Sequence, residues 1–263
     1  MIIDFHNHLV PGVDDGAASL DDTRASLAAY QAQGVGAVVT TPHYRASLGE
    51  QPDELEAFFA RLDPAWESVR ALAAAEFPAL RLERAVEVAL DTPKPDLSDP
   101  RLRLAGGRFV LVEFPFMTVP PNAPTAVFEV KMAGWAPVIA HPERYSNLAE
   151  DLRAAEEWKR VGAQLQVNAG SLLGRYGTQP QKLAWALLRR GMADYLSSDY
   201  HARGPLHLAA CREMLEEAGG AEHAGLLMEE NPARLLAGEV PLEVPPLEPK
   251  RRPLWKKLFG GRG

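Results

Sequence analysis

The sequence predicts an α/β barrel made of repeated strand–helix units. Short apolar runs of strand length alternate with longer helical segments about seven times, which is the pattern of parallel βαβ units. That number of repeats favours a barrel over an open sheet. Histidines and carboxylates recur where the predicted strands end, and α/β barrels build their active sites from the loops at those ends. A chain of 263 residues suffices for one large domain.

Each predicted element has its own local signal. Strands are predicted where apolar residues run together, from residue 2 and at 35–41, 80–90, 108–114, 135–140, 163–167 and 194–198. Helices are predicted at 20–33, 52–76, 123–133, 147–160, 180–190 and 205–237, the last with breaks at Gly219-Gly220 and Asn231-Pro232. Ser19 is the expected N-cap of the first helix and Gly34 ends it. Pro64 marks a kink or a boundary in the second.

The opening sequence, MIIDFHNHLVPGVDDG, carries the first candidate metal ligands. His6 and His8 lie two residues apart, so their side chains project to the same face of a strand. A Pro-Gly turn then delivers the acidic pair Asp14-Asp15. Two imidazoles with carboxylates arriving from the next loop are a typical beginning of a metal site. The H-x-H pair alone is a weak signal, and the other strand ends strengthen it.

Further candidate side chains follow the other predicted strands. They are His43, Glu87, Glu113, His141, Arg144, Asp199 and His201. A carboxylate at the end of an apolar strand, such as Glu113, is costly unless it is paired or ligated. Mixed imidazole and carboxylate ligands suit Mn, Fe or Zn rather than a soft metal. The strand ends therefore predict a divalent metal centre.

Charge is distributed unevenly along the chain. The whole sequence carries −7, yet six basic and no acidic residues follow Glu248, which leaves −13 on residues 1–249. Such an acidic body lacks the basic surface that nucleic acids require. We predict a catalytic domain at 1–240 and a Pro-rich, basic, flexible tail at 241–263. The tail is expected to touch an anionic membrane surface or an acidic partner, with a solvated terminus as the alternative.

The expected location is the cytoplasm, with peripheral contact at the inner face of the membrane left open. Asp4 and His6 interrupt the apolar start, which argues against a signal peptide. No apolar run approaches the roughly 20 residues that span a bilayer. The single cysteine, Cys211, excludes an internal disulfide and fits a reducing compartment.

Six motifs carry a resemblance to a known family: HNHLVPGVDDGA, VVTTPHY, LVEFP, IAHPERY, LQVNAGSLLGRYG and SSDYH. Through them the chain resembles the PHP (polymerase and histidinol phosphatase) superfamily, and within it the CpsB/CapC type of bacterial protein-tyrosine phosphatase. The resemblance implies a distorted (β/α)7 TIM-like barrel, the PHP fold. It also implies three divalent metal ions, with manganese favoured and Fe, Zn, Mg or Co as alternatives.

The same resemblance implies a set of ligands, residue by residue. One metal is held by His6, His8, Glu87 and Asp199, a second by Glu87, Glu113 and His141 with Glu87 bridging, and a third by Asp15, His43 and His201. Asp14 and Glu83 compete with Asp15 and Glu87, and the motif alignment favours the latter two.

The implied activity is hydrolysis of phosphotyrosine on a bacterial tyrosine kinase that controls capsule or exopolysaccharide synthesis. A metal cluster lowers the pKa of water, and the resulting hydroxide attacks phosphorus in line. Arg144 is expected to bind the phosphoryl group, and His43 or His201 to assist the leaving group. Arg203 and Tyr44 are candidate substrate contacts, with structural roles as the alternative.

Three other functions stay open at this point. A histidinol-phosphate or other small phosphomonoester phosphatase would use the same cluster, a polymerase-type PHP domain would act on DNA ends, and a non-catalytic regulator would bind a kinase and keep the metal as structure. The acidic body argues against DNA. A cysteine-dependent phosphatase needs Arg six residues after the nucleophile, but Glu217 stands six residues after Cys211. Cys211, His207 and His223 are predicted to be structural or surface residues.

Overall fold

Nine short strands lie in residues 1–248, the part of the chain that the computed structural model describes. They are β1 (Ile2–Asp4), β2 (Val35–Thr40), β3 (His43–Arg45), β4 (Arg81–Arg84), β5 (Glu87–Ala89), β6 (Phe109–Glu113), β7 (Ala136–Ala140), β8 (Gln164–Asn168) and β9 (Tyr195–Ser197). All the pairings between these strands are parallel. The predicted α/β class with a parallel sheet is thereby confirmed.

The strands form two sheets instead of one closed barrel. One sheet has the order β1-β2-β4, and the other has the order β3-β5-β6-β7-β8-β9. The strand predicted at 80–90 is divided at Ala85-Val86, and an unpredicted strand, β3, follows the one predicted at 35–41 after the break at Thr41-Pro42. Pro42 has no N–H to donate, so the ladder is interrupted there, although Glu87 N still donates to Pro42 O at 3.1 Å. A closed barrel ladder is therefore not observed among the described residues.

Backbone hydrogen bonds join the chain segments that leave β1 and β9. Asp199 N donates to His6 O and His8 N donates to Tyr200 O, each at 2.8 Å. An isolated parallel bridge pairs Asn7 with Tyr200. These contacts hold the opening H-x-H segment beside the D-x-H segment near the end of the fold.

The helices pack around the sheets. They are α1 (Leu20–Ala32), α2 (Pro52–Glu76), α3 (Ala123–Met132), α4 (Arg153–Arg160), α5 (Ala169–Leu172), α6 (Thr178–Arg189), α7 (Leu208–Glu217), α8 (Ala221–Gly225) and α9 (Asn231–Leu236), with a π-helical turn at Leu226–Glu230. Ser19 caps α1 in a capping box with Asp22, as its sequence predicts.

Two helical regions differ from the sequence-based expectation. Helix α2 runs through Pro64 without ending. The residue whose carbonyl loses its helical partner is Ala60, which is exposed, so water can satisfy it. At Asn231-Pro232 the π-helical turn ends and α9 begins, with Pro232 in the first turn of α9, where a missing N–H costs nothing. The break at Gly219-Gly220 is present between α7 and α8.

Residues 241–248 have no helix or strand but pack on the body. Val244 and Leu247 are buried, and Leu247 N donates to Leu188 O at 3.0 Å. The predicted boundary at residue 240 stays a prediction, and the basic segment of the tail lies outside the described residues. No helix within residues 1–248 is long and apolar enough to cross a membrane.

Candidate metal centre

The structure brings all nine predicted metal ligands to one place. Most of them end a strand or follow one, whereas His43 and Glu87 begin the short strands β3 and β5. Four overlapping groups have ligand atoms that lie within 4.8 Å of one another. They are His8, Asp15, His43 and His201; His6, His8 and Glu87; His6, His141 and Asp199; and His43, Glu87 and Glu113. Parallel strands end at the same edge of a sheet, which is why residues from distant parts of the chain meet here.

Glu87 lies at the centre of this cluster and is fully buried. Its Oε1 is 3.1 Å from His6 Nε2 and 3.0 Å from His141 Nε2. Its Oε2 is 3.1 Å from His43 Nδ1 and 3.5 Å from His8 Nε2. One carboxylate thus faces four imidazoles, which is the position of a bridging ligand.

Three histidines are oriented by hydrogen bonds on their outer side. His6 Nδ1 is 2.8 Å from Gln166 Oε1, His8 Nδ1 is 2.7 Å from Asp14 Oδ2, and His201 Nδ1 is 2.9 Å from Asp199 O. Because each of these oxygens accepts, the Nδ1–H donates and the Nε2 lone pair points inward. Metal-binding histidines are held in this way by carboxylates and carbonyls.

Asp14 and Asp15 have different places. Asp14 holds His8 from outside and also accepts from Gly16 N and His43 N. Asp15 Oδ1 is 3.5 Å from His43 Nε2 and 3.3 Å from His201 Nε2. Asp15 therefore belongs to the inward-facing group, and Asp14 supports a histidine of that group.

Asp199 lies opposite Glu87 on a strained stretch of backbone. Its Oδ1 is 3.4 Å from both His6 Nε2 and His8 Nε2, and its Oδ2 accepts from Arg144 and Asn168. Its φ is +52°, and His141 has a φ of +34°. Left-handed backbone at residues other than glycine is costly and concentrates at functional sites.

Buried atoms without hydrogen-bond partners test whether the cluster fits a metal. Among the described residues, His6 Nε2, His8 Nε2, His43 Nδ1 and Glu87 Oε2 are buried and have no partner. Native proteins leave few such atoms, because each costs about 1–3 kcal/mol. Here four converge, and all are nitrogen or oxygen donors that bind Mn, Fe or Zn. The residues fit divalent cations.

The electrostatics of the metal-free cluster agree with this fit. Burial opposes ionisation of Glu87, yet the neighbouring His6, His141 and His43 hold its pKa well below the usual range. Burial likewise opposes protonation of His43, but the carboxylates of Glu113 and Glu87 beside its ring raise its pKa to about 12. The carboxylates thus stay charged and attract a positive charge, which protons supply in the absence of a metal.

The sequence matches the family described as "Capsular polysaccharide synthesis, CpsB/CapC" over residues 2–237. The chain belongs to the CpsB/CapC family. Tyrosine-protein phosphatase YwqE of Bacillus subtilis is 29% identical over 98% of this chain and 99% of its own length. Tyrosine-protein phosphatase CpsB of Streptococcus pneumoniae is 27% identical over 91% of this chain and 100% of its own.

A solved structure supports the same relationship. It comes from work on YwqE and CpsB, described there as unique metal-dependent tyrosine phosphatases. It has a TM-score of 0.79 and 26% identity, and the match covers 95% of this chain and 100% of the other. The resemblance inferred from the sequence motifs is confirmed at the level of the family.

The three predicted substrate contacts of this CpsB/CapC family chain line two different recesses. Arg144 and Arg203 line a recess of about 230 Å³ together with Arg175 and Tyr176, which we call the arginine recess. Arg203 donates to Asp15 O. Tyr44 lies elsewhere: its ring is buried against Phe58, with centroids 5.2 Å apart, at a second recess.

The remaining histidines, the cysteine and the competing glutamate lie outside the cluster. His207 Nε2 is 3.1 Å from Arg175, and His223 is bonded to Pro245 O. Glu83 is paired with Arg81 at the strand before Glu87. Cys211 is buried in α7, where burial raises the pKa of its thiol to about 12; such a thiol is a poor nucleophile.

Sequence reasoning missed four residues around the CpsB/CapC cluster. Gln166 and Asn168 link His6 to Asp199 through hydrogen bonds of 2.8, 2.9 and 2.8 Å. They lie two residues apart in β8, so their side chains share one face of the strand. That spacing is the sequence signal that could have identified them. Arg175 and Tyr176 follow α5 in a turn with Gly174 and Gly177 at positive φ, and no strand-end argument reaches them.

Proposed function

We propose that this chain is a metal-dependent protein-tyrosine phosphatase. The observation that carries the proposal is the convergence of buried, unpartnered imidazole and carboxylate atoms on Glu87, next to a recess with three arginines. The relatives are named tyrosine-protein phosphatases, and one solved neighbour is described as metal-dependent. A substrate is accordingly phosphotyrosine on a protein.

We assign the cations to three sets of residues. His6, His8, Glu87 and Asp199 would hold the first, Glu87, Glu113 and His141 the second, and Asp15, His43 and His201 the third. The position of His43 supports separate second and third sets. Its Nδ1 faces Glu87 and Glu113, which belong to the second set, while its Nε2 faces Asp15, which belongs to the third. The donor set favours manganese, with Fe, Zn, Mg or Co as alternatives.

The chemistry divides between the cations and the side chains. Bound divalent cations supply Lewis acidity and lower the pKa of water to near neutrality. Arg144 donates a hydrogen bond to Asp199 at the edge of the cluster, and its remaining N–H groups can bind phosphoryl oxygens. His201 keeps an inward Nε2, and burial and the nearby His8 lower its pKa, so its neutral imidazole would be a ligand of the third cation.

The leaving group needs little protonation. A tyrosine phenol has a pKa of about 10, several units below that of an alkyl alcohol. The leaving group therefore does not depend on a proton from His43 or His201, which would both hold the third cation, and the arginines carry most of the side-chain stabilisation of charge. We propose Arg144 and Arg203 as the cations that bind the phosphoryl group.

Three finer assignments accompany the proposal. The kinase that controls capsule or exopolysaccharide synthesis is the proposed substrate, in line with the family description. The cytoplasm is the proposed location, which the reduced, buried thiol of Cys211 favours. The two sheets are proposed to be the parts of one distorted (β/α)7 barrel, since hydrogen bonds connect the segments after β1 and β9.

The test is a phosphatase assay on a phosphotyrosyl peptide and on histidinol phosphate. We expect hydrolysis of the peptide that stops on chelation and returns with manganese. Preference for histidinol phosphate would favour the small-substrate phosphatase. Absence of turnover of both, with metal bound, would favour the regulator. A variant with His141→Ala should be inactive, and Cys211→Ser serves as the matched control with normal turnover.

A further inference from the structure

The loop at residues 199–204, which carries two candidate metal ligands and Arg203, has a strained backbone. Asp199, Ala202 and Gly204 have φ values of +52°, +55° and +69°. Left-handed backbone at two residues other than glycine is costly, and it persists only where the surrounding contacts hold it. The start of the loop is tied to the cluster, because Asp199 N donates to His6 O. The contacts at its other end therefore decide where Arg203 lies.

Two consecutive carbonyl groups at that end accept hydrogen bonds. Arg203 O accepts from Arg175 Nη2 at 3.3 Å, and Gly204 O accepts from the Tyr200 hydroxyl at 3.1 Å. Tyr200 belongs to the loop itself. Arg175 belongs to the turn between α5 and α6, so it ties the loop to a different part of the fold. Its Nη1 also lies against Gly204, where an added Cβ would be 3.4 Å away.

Arg175 is in turn held by a histidine that the metal centre does not use. Its Nη1 is 3.1 Å from Nε2 of His207, the residue before α7. A guanidinium only donates, so this Nε2 accepts and carries no proton. Burial and Arg175 lower the pKa of His207, which keeps the imidazole neutral. The planar fork of Arg175 thus joins the start of α7 to the 199–204 loop with two different nitrogen atoms.

The side chain of Arg203 extends from this fixed carbonyl to the arginine recess. It lines the recess beside Arg144 and donates to Asp15 O. Groups that bind a reacting phosphoryl must be placed accurately, because a shift of about 1 Å can cost about 100-fold in rate. The backbone position of Arg203 is therefore as important as its charge.

We propose that Arg175 is a positioning residue for Arg203, whose carbonyl it holds so that the Arg203 guanidinium lies in the arginine recess. The inference rests on the proposed phosphatase function, in which Arg203 binds the phosphoryl group. Arg175 acts through Arg203 and not on the substrate, because its own N–H groups are engaged by His207 and the Arg203 carbonyl. It is exposed in a turn, so its replacement leaves the core intact.

The first test removes the guanidinium. Arg175→Leu should lower kcat/KM for p-nitrophenyl phosphate and weaken inhibition by inorganic phosphate, each about tenfold, with unchanged manganese content. Arg190→Leu is the matched control, because Arg190 is also exposed and also donates to a loop carbonyl, Asp151 O, at 2.7 Å. It should leave both constants unchanged. Equal constants in the two variants overturn the proposal.

The second test is a double-mutant cycle with Arg203→Ala. If Arg175 acts through Arg203, then Arg175→Leu costs about tenfold when Arg203 is present and less than about twofold when Arg203 is replaced. The same cost in both backgrounds overturns the proposal, because Arg175 would then act on the substrate directly or through the fold.

The conservative variant separates the fork from the charge. Arg175→Lys keeps the positive charge but loses the planar pair of donors, so its kcat/KM should stay within about threefold of that of Arg175→Leu. Full recovery by lysine would show that charge alone matters and would contradict positioning.

Phosphate binding provides a readout that does not depend on turnover. Calorimetric titration of inorganic phosphate into the manganese-loaded proteins should show about tenfold weaker binding to Arg175→Leu than to Arg190→Leu. If the wild type hydrolyses no phosphate ester with manganese bound, the proposed phosphatase function fails, and the titration still decides the role of Arg175. Equal phosphate affinities of the two variants contradict that role.

Discussion

Two fully buried carboxylates, Asp4 and Glu87, have opposite surroundings. Asp4 ends β1 and accepts from Tyr30 OH at 2.5 Å, from Ser198 N at 2.8 Å and from Ser198 Oγ at 2.6 Å. Glu87 begins β5 and faces imidazoles, with one oxygen unpartnered. Fixed neutral donors around a buried acid indicate structure. Unpartnered ligand atoms around a buried acid indicate a cation site.

The pKa values of the two acids are also shifted in opposite directions. Burial raises the pKa of Asp4, and its hydrogen bonds compensate only in part. Burial also opposes the charge of Glu87, but the surrounding imidazoles outweigh it and its pKa is well below the usual range. Asp4 is stabilised by its neutral hydrogen-bond donors, whereas Glu87 stays ionised and can neutralise a bound positive charge.

Glu87→Gln should have the largest effect. An amide keeps the size of the side chain but loses the charge that we propose bridges two cations. We expect loss of bound manganese and a fall in kcat of about 1,000-fold or more, beyond the 10–100-fold typical of residues that only support ligands. Metal content after dialysis and kcat on p-nitrophenyl phosphate check this.

The matched control is Glu83→Gln, which removes a carboxylate of β4 that pairs with Arg81 of the same strand. It should keep both the metal and the activity. Retention of manganese by Glu87→Gln would contradict the assignment of Glu87 as a bridging ligand.

Asp4→Asn should act on stability instead. The amide places an N–H group against the donors that Asp4 accepts from, so we expect a loss of about 3 kcal/mol in the unfolding free energy. Urea denaturation of the metal-free protein measures it. Tyr30→Phe removes one donor only and should cost about 1 kcal/mol. Wild-type stability with loss of metal would show that Asp4 belongs to the metal centre.

The same comparison explains how much the sequence could predict. His6 and His8 were predictable because the two-residue spacing fixes a common face, and Asp199 and His201 repeat it. Glu113 was predictable because a carboxylate after an apolar strand needs a partner, whereas the choice of Glu87 over Glu83 came from the motif alignment. The roles of Asp14 and Asp15 required the structure, because adjacent carboxylates in a loop have no periodicity to separate them.

Other features depended on three-dimensional context. Pro42, which has no N–H, separates β2 from the unpredicted strand β3, and its effect on barrel closure depends on the partner strand. Gln166 and Asn168 look like ordinary polar residues until their hydrogen bonds to His6 and Asp199 are seen. Arg175 and Tyr176 lie in a turn, where no strand-end rule applies.

The pairing of His8 with Asp14 predicts a pH dependence of the metal-free protein. Burial opposes ionisation of Asp14, but His8 lowers its pKa from 3.8 to about 2. That contribution to stability is present above pH 3.8 and is lost as the pH falls towards 2. Burial opposes protonation of His8, but Asp14 and Asp199 raise its pKa from 6.5 to about 9. That contribution is full below pH 6.5 and is lost as the pH rises through 9.

Asp14→Asn should therefore destabilise the metal-free protein most between pH 3.8 and 6.5, by about 2 kcal/mol. Urea unfolding of the wild type and the variant from pH 3 to pH 9.5, with chelator present, measures the difference. Asp15→Asn is the neighbouring control, and its mainly exposed carboxylate should give a small difference at every pH. A constant effect of Asp14→Asn across the range would contradict the ion pair.

The ring of Tyr176 packs against Arg144, the residue that donates to Asp199 at the edge of the cluster. The guanidinium carbon of Arg144 lies 4.2 Å from the centroid of the Tyr176 ring, and that of Arg175 lies 5.9 Å away. Tyr176→Leu removes the aromatic face, an interaction of about 0.5–2 kcal/mol. We expect about a tenfold fall in kcat/KM and a similar weakening of inhibition by inorganic phosphate, with unchanged metal content.

The conservative variant separates the ring from its hydroxyl. Tyr176→Phe keeps the face that Arg144 packs on, so its kcat/KM and its inhibition constant for phosphate should stay within about twofold of the wild type. An equal loss in the Phe and Leu variants would show that the hydroxyl acts on the substrate directly. A loss of manganese in either variant would show that Tyr176 supports the metal ligands, as Asn168 does through its hydrogen bond to Asp199. The predicted pattern, with phosphate affinity lowered and metal retained, places Tyr176 as a positioning residue for Arg144.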